Sequence, residues 1–234
     1  TVFIAISQSG ETADTLAALR YAKTQHYVAT IALCNTAHSS IVREADCYLP
    51  LHAGKEIGVA STKAFTAQLF ALLYIVITKA KLDHCNQDRV AEMCAALPDI
   101  PKHISDILSQ EEELERIAAL IEPCQQVIYL GRHNQYPIAQ EGALKLKEIS
   151  YINANAYAAG ELKHGPLALV DTNTIIIYLI PDNHILEKNL SNMAEIQARG
   201  GKIICIAEQG VEKHISGALA HFKTPKTHSD LSPI

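Results

Sequence analysis

Residues 2–12 read VFIAISQSGET. The first six form a short apolar run of the buried-strand type, and the polar stretch that follows ends it. Residues 11–25 continue as ETADTLAALRYAKTQ, with Leu16, Leu19 and Ala22 at helical spacing. Residues 27–35, YVATIALCN, read as a second apolar strand, SSIVREAD as a short helical stretch, and CYLPL as a third strand. HAGKEIGVASTKAFTAQLFALLYIVITKAK then runs from a polar loop into a long apolar helix. Strand, loop and helix in alternation predict an α/β domain with a parallel sheet.

The texture changes over residues 82–122. Helical periodicity there is interrupted by Pro98 and Pro101, and Glu111 to Glu113 open a further helix, where the macrodipole favours anions. At Gln126 the first pattern restarts. QVIYL reads as a strand, GRHNQ as a loop, and YPIAQEGALKLKEISYI as a helix. AYAAGELKHGPLALV reads as a long Gly-punctuated loop. TIIIYLIP is a strand, HILEKNLSNMAEIQARGG a helix ending in Gly, and KIICIAEQG another strand. The last stretch, FKTPKTHSDLSPI, reads as a strand and loop. The expected organisation is one α/β unit over 1–81, a helical linker over 82–122, and a second α/β unit over 123–234.

Composition narrows the class. The chain has 234 residues, 48% hydrophobic and 19% charged, with a formal net charge of −5. That content suits one sizeable core or two smaller ones and excludes a disordered or collagen-like chain. Mild acidity argues against nucleic acid as a partner. The apolar stretch Phe65–Thr78 reads as a buried helix, too short to span a bilayer. No signal peptide is read at Thr1. The chain opens inside a strand, as a piece of a longer protein would. The six cysteines form no CxxC pair and read as buried thiols in a reducing compartment. The eleven histidines show no metal-ligand spacing, so no metal is expected.

Four stretches could carry chemistry. Ser7-Gln8-Ser9-Gly10-Glu11-Thr12 joins a strand to a helix start. Small hydroxyls and a glycine there let backbone N–H groups approach an anion, as in a phosphate cradle; equally, Ser9 or Thr12 could simply cap the helix. Val59-Ala60-Ser61-Thr62-Lys63 is a second hydroxyl-bearing helix entry, open to the same two readings. On the EGALKLKEIS helix, Glu141, Lys145 and Glu148 fall at i, i+4 and i+7 and share a face. They read either as a surface ion-pair ladder or as a carboxylate base tuned by an ammonium. GELKHGPLAL holds His164 between glycines and a proline, as an acid–base group or as a residue bonded to the backbone.

Taken together, SQSGETADTL, GVASTKAFTAQL, EGALKLKEISY and YAAGELKHGPLAL resemble the sugar-isomerase half of the glutamine–fructose-6-phosphate aminotransferase family, in the same order along nearly the whole chain. The resemblance implies two SIS domains, each a flavodoxin-like parallel sheet in a three-layer αβα arrangement. It implies conversion of fructose 6-phosphate to glucosamine 6-phosphate, with ammonia from a separate glutaminase domain and no cofactor or metal. Ser7, Gln8, Ser9 and Thr12 would hold the phosphate. Val59, Ala60 and Ser61 would line the sugar. Glu148 would move the proton between C1 and C2, Lys145 would assist at the sugar oxygens, and His164 would promote ring opening across a homodimer interface. A cytoplasmic enzyme is implied, without nucleic acid or membrane partners. Relative to the family pattern, the opening βα unit of the first SIS domain is missing. So are the glutaminase domain and the C-terminal tail with its imine-forming lysine. The alternatives are a double-SIS sugar-phosphate deglycase or deaminase, and a non-catalytic sugar-phosphate-binding regulatory module.

Overall fold

The computed structural model describes residues 1–234. They form two compact units, Thr1–Gln87 and Asp88–Pro233, with Ile234 grouped with the first.

The first unit follows the alternation seen in the sequence. Strands β1 (Val2–Ser7), β2 (Ala29–Cys34) and β3 (Cys47–Pro50) are separated by helices α1 (Ala13–Lys23) and α2 (Ser40–Glu44), and α3 (Lys63–Leu82) follows. The three strands pair in parallel in the order β1-β2-β3, with Ala5 opposite Ala32 and Leu33 opposite Leu49. Parallel pairing needs a crossover between strands, and α1 and α2 supply it. The expected stripe on α1 is present: Leu19 is buried against Ala5, Ala32 and Ile41, with Leu16 partly buried beside them.

Helix α3 departs from expectation. The sequence predicts a buried helix too short to span a bilayer. The helix is 20 residues long and apolar enough by length and composition to cross a membrane, and most of its residues are half-buried or exposed. Only Ala64 and Ile77 are buried, while Phe70, Tyr74, Val76 and Leu82 face outward. Its apolar residues surround the helix instead of forming one stripe, so no single face could be assigned to a core.

Helix α4 (Gln87–Ala96) starts at the last residue of the first unit and runs into the second, where a 3-10 turn (Leu97–Asp99), α5 (Ile100–Leu108) and α6 (Glu111–Ile121) follow. Pro98 and Pro101 enforce the break between α4 and α5. A proline is tolerated in a first turn but not in a helix interior, and Pro101 sits in the first turn of α5. Then come β4 (Gln126–Gly131), α7 (Gln135–Ser150), β5 (Asn153–Ala158), two 3-10 turns (Ala159–His164 and Pro166–Leu169), β6 (Ile175–Ile180), α8 (Leu186–Ala198), β7 (Lys202–Glu208) and β8 (Ala220–Thr224). The sheet is wholly parallel, in the order β5-β4-β6-β7-β8.

Both faces of this sheet are covered, which explains the unbroken apolar run of β6. Ile128, Leu130, Ile176, Tyr178, Ile203 and Cys205 face Met193 and Ile196 of α8, together with Ala159 and Leu162 of the first 3-10 turn. Val127, Ile175, Ile177 and Ile204 face the other way, onto Ile117 and Ile121 of α6 and Leu146 of α7. The stretch AYAAGELKHGPLALV, expected as a loop, instead begins inside edge strand β5 and continues as the two 3-10 turns. Of the six cysteines, all free, only Cys34 and Cys205 are buried, so the expectation of buried thiols holds for two.

Candidate active site

The SQSGET loop leaves the carboxyl end of β1, where parallel sheets commonly hold ligands. Ser7 is buried, and its Oγ accepts the N–H of Gly10 at 2.9 Å. Gly10 has φ +70°, and a Cβ there would lie 2.0 Å from Ser39 Oγ. Both the left-handed backbone and the contact with Ser39 require glycine. Ser9 Oγ accepts the N–H of Glu11 at 3.2 Å. Thr12 occupies the N-cap of α1 but makes no side-chain bond to the helix. The plain capping role open to Ser9 and Thr12 is therefore unused, and the first turn of α1 lacks a side-chain cap. Gln8 contributes its carbonyl, which accepts from Thr36 Oγ1 at 3.3 Å.

Glu11 would be an obstacle if its carboxylate faced an incoming anion. It turns to α2 instead, where Oε1 accepts the N–H of Ser40 at 2.7 Å. Its bonds with Ser40 hold its pKa below the usual glutamate value.

At the second helix entry, Val59 is fully exposed and Ala60 and Ser61 are half-buried. The cap on α3 comes from a residue the sequence did not single out. Glu56 Oε1 accepts the N–H groups of Ala64 at 2.9 Å and Thr62 at 3.2 Å, and the hydroxyl of Ser61 at 3.4 Å. The bond from Ala64, the largest contribution, holds the Glu56 pKa below its ordinary value.

In the second unit, α7 carries the predicted ionic face. The helix lies close on β4 because residue 142 is glycine: a Cβ there would meet Tyr129 Cε1 at 2.8 Å. Ala139 and Ala143 are buried beside it, which leaves the next face for Glu141, Lys145 and Glu148. Lys145 Nζ donates to Glu148 Oε2 at 2.6 Å and lies 3.6 Å from Glu141 Oε1. The Lys145 and Glu141 side chains are about three-quarters buried, at 22% and 24% exposed. Partial burial pulls the lysine pKa down, but the bond to Glu148 and the charge of Glu141 outweigh it. The net shift is upward.

His164 ends the first 3-10 turn and is exposed, with no hydrogen bond to Lys145 or Glu148. Buried Leu162 anchors that turn on the sheet face that carries α8. Lys163 is tied to Glu195 of α8 at 2.9 Å. Helix α7 packs on the opposite face, so His164 and Glu148 of this unit belong to different layers.

A further cavity of about 530 Å³ opens in the second unit, lined by residues such as Arg89, His133, Asp182, His184 and Asp230. It contains none of the predicted residues. The loop after β6 that contributes to it, Pro181-Asp182-Asn183-His184, holds the same topological place as SQSGET after β1. It lacks the glycine and the hydroxyls of the SQSGET stretch.

Comparison with known proteins agrees with this architecture. The family pattern described as SIS domain matches residues 1–78 and 120–229. Glutamine–fructose-6-phosphate aminotransferase [isomerizing] of Legionella pneumophila (strain Lens) is 48% identical over 234 residues, all of this chain and 38% of that protein. The same enzyme of Escherichia coli (strain K12) is 46% identical over the same coverage. The solved C-terminal domain of glucosamine-fructose-6-phosphate aminotransferase from Francisella tularensis superimposes with a TM-score of 0.95 at 45% identity, covering 99% of this chain and 66% of that one. The chain thus spans 38% of the length of these curated relatives. With its two parallel α/β units and a pattern match across most of its length, the chain belongs to the SIS domain family.

Proposed function

We propose that this chain is the isomerase part of a cytoplasmic glutamine–fructose-6-phosphate aminotransferase, with residues 1–81 and 123–234 as its SIS domains and 82–122 as a helical linker. The observation that carries the reading is the Lys145–Glu148 pair, a partly buried ammonium 2.6 Å from a carboxylate on one face of α7. It pairs a base with a cation, as proton transfer next to a carbonyl requires.

In this reading the SQSGET loop holds the phosphate, through Ser7, Gln8, Ser9, Thr12 and the uncapped first turn of α1. Val59, Ala60 and Ser61 line the sugar. Phosphate binding supplies remote binding energy that orients the reacting carbons. Ammonia, delivered by a glutaminase domain, condenses at C2 of open-chain fructose 6-phosphate with loss of water. The Glu148 carboxylate then takes a proton from C1, and the electron pair left behind forms the C1–C2 double bond as the C2–N π pair moves onto the nitrogen, which takes a proton from water to give an enolamine. Glu148 returns that proton to C2. The O1 hydroxyl, beside the Lys145 ammonium, releases its proton to water, and the C1 aldehyde of glucosamine 6-phosphate results. The same carboxylate is base and then acid.

His164 is proposed to promote ring opening from a second copy of the chain. Its location in the layer opposite α7 supports this assignment. The reading is tested by supplying the full-length protein with glutamine and fructose 6-phosphate. Glutamine-dependent glucosamine 6-phosphate is the expected product. Sugar-phosphate binding without any product would assign the chain to the regulatory class instead.

A further inference from the structure

We infer that Asn35 is a positioning residue, and that with Thr36 it forms a strut holding the sugar-lining stretch at a set distance from the phosphate loop. The inference rests on the proposed function, which puts the phosphate at SQSGET and the sugar at Val59, Ala60 and Ser61.

Residues 51–62 join β3 to α3 without forming a strand or a helix. Such a stretch takes its shape from whatever ties it down. Main-chain pairing between the strands ends with the Leu51 N–H, which donates to the Cys34 carbonyl at 3.1 Å. The Asn35 side chain then takes over. Its Oδ1 accepts the N–H of Ala53 at 2.9 Å, and its Nδ2 donates to the Gly54 carbonyl at 2.6 Å. One primary amide thus offers the loop an acceptor and a donor side by side, as the next residue of a strand would. The bonds made by Leu51 and Ala53 flank His52, which has φ +53°, and Gly54 follows at φ +72°. A left-handed backbone is unfavourable for a residue other than glycine and persists where its surroundings hold it.

Thr36 and Glu56 complete the connection. Thr36 Oγ1 donates to the Gln8 carbonyl at 3.3 Å. At the far end, Glu56 Oε1 accepts the Ser61 hydroxyl at 3.4 Å and the Ala64 N–H at 2.9 Å. Hydrogen bonds therefore run from Gln8 through Thr36, Asn35, Gly54 and Glu56 to Ser61, all within the first unit. Gln8 and Ser61 belong to the two stretches proposed to hold opposite ends of one substrate. Their separation sets whether a sugar gripped by its phosphate also meets the lining stretch. Without the strut, the substrate itself would have to order residues 52–61, at a cost in affinity. Asn35 and Thr36 act through the residues they hold and need not touch the substrate.

The test uses the full-length protein and two probes. Inorganic phosphate engages the SQSGET loop alone, and fructose 6-phosphate engages both stretches. Calorimetric titration gives both Kd values on one sample, and their ratio does not depend on how much of the sample is folded. Asn35→Ala should raise the Kd for fructose 6-phosphate about tenfold and leave that for inorganic phosphate within about twofold. Thr36→Val should shift the ratio in the same direction, and Thr36→Ser, which keeps the hydroxyl, should match wild type. Asn35→Ala combined with Thr36→Val should lose little more than the larger single change, because a strut already cut has nothing left to transmit. An unchanged ratio in both single variants would overturn the inference. So would a parallel rise of both Kd values, the sign of a general loosening, or fully additive losses. Where Asn35→Ala does not fold, the Thr36 variants decide by the same ratio. If wild type binds fructose 6-phosphate no better than inorganic phosphate, the proposed function fails; if wild type separates the two probes and the variants separate them equally well, only the strut fails.

Discussion

Glu11 Oε1 accepts the backbone N–H of Ser40 at 2.7 Å, which ties the carboxylate of the SQSGET loop to the start of α2. A glutamate between Gly10 and Thr12 would otherwise repel a phosphate. Anchored on α2, it would leave the start of α1 to the proposed phosphate. Glu11→Gln, whose amide oxygen can still accept from Ser40, should change the Kd for fructose 6-phosphate by less than about threefold. Ser9→Ala with Thr12→Ala should raise it about tenfold or more, since hydrogen bonds to a charged group are worth ~1.5–3 kcal/mol each. Calorimetric titration of the full-length protein measures both. Equal affinities in all three proteins would leave the loop without a binding role.

Gly10 is fixed by two independent constraints, φ +70° and the proximity of Ser39. Gly10→Ala should destabilise the protein by about 1–3 kcal/mol in urea unfolding. Adding Ser39→Gly removes the closest contacts but leaves Cys34 Sγ at 2.9 Å and the strained backbone, so only part of the loss should return. Full recovery would mean that the left-handed conformation carries no strain.

Glu56 caps α3 as a carboxylate, and its pKa in the folded protein is below the ordinary 4.5. A depressed folded pKa gives stability that is fully present above the unfolded value. That stability is lost as pH falls through the folded value. Glu56→Gln should therefore lower the thermal midpoint at neutral pH. The difference from wild type should shrink as pH falls below 4.5. A difference independent of pH would show that the charge on Glu56 contributes nothing to the cap.

Tyr178 is fully buried, and its hydroxyl donates to Asn189 Oδ1 at 3.1 Å; Asn189 is buried as well. Tyr178→Phe leaves that oxygen without its partner, beside an Asn189 Nδ2 that already has none. The expected loss is about 1–3 kcal/mol, measured by denaturant unfolding. Tyr178→Phe combined with Asn189→Leu should be less destabilised than the sum of the two single changes.

Most strands could be read from the sequence because they are apolar runs ended by polar or glycine-rich turns, as in VFIAIS before QSG and TIIIYLI before PDN. Strand β5 could not. Its sequence, NANAYA, has no β-branched residue, and its extended form depends on parallel pairing with β4. That α3 is a long apolar helix was readable, but its full extent and its surroundings were not, because an apolar run without a stripe does not say what covers it. In the candidate site, the shared face of Glu141, Lys145 and Glu148 followed from helical spacing alone. The Glu56 cap did not, because it reaches Ala64 from eight residues upstream through a loop whose path no periodicity describes. The role of Glu11 was hidden for a similar reason: Ser40 is 29 residues away.

The central claim is that Glu148 carries the proton between C1 and C2. Its most direct test is Glu148→Gln in the full-length protein, with fructose 6-phosphate turnover and binding measured on the same sample. Loss of the general acid–base group should reduce turnover about 10²–10⁴-fold and leave the Kd for the sugar phosphate within a few-fold. Turnover equal to wild type would contradict the account and return the Lys145–Glu148 pair to an ordinary ion pair on a helix.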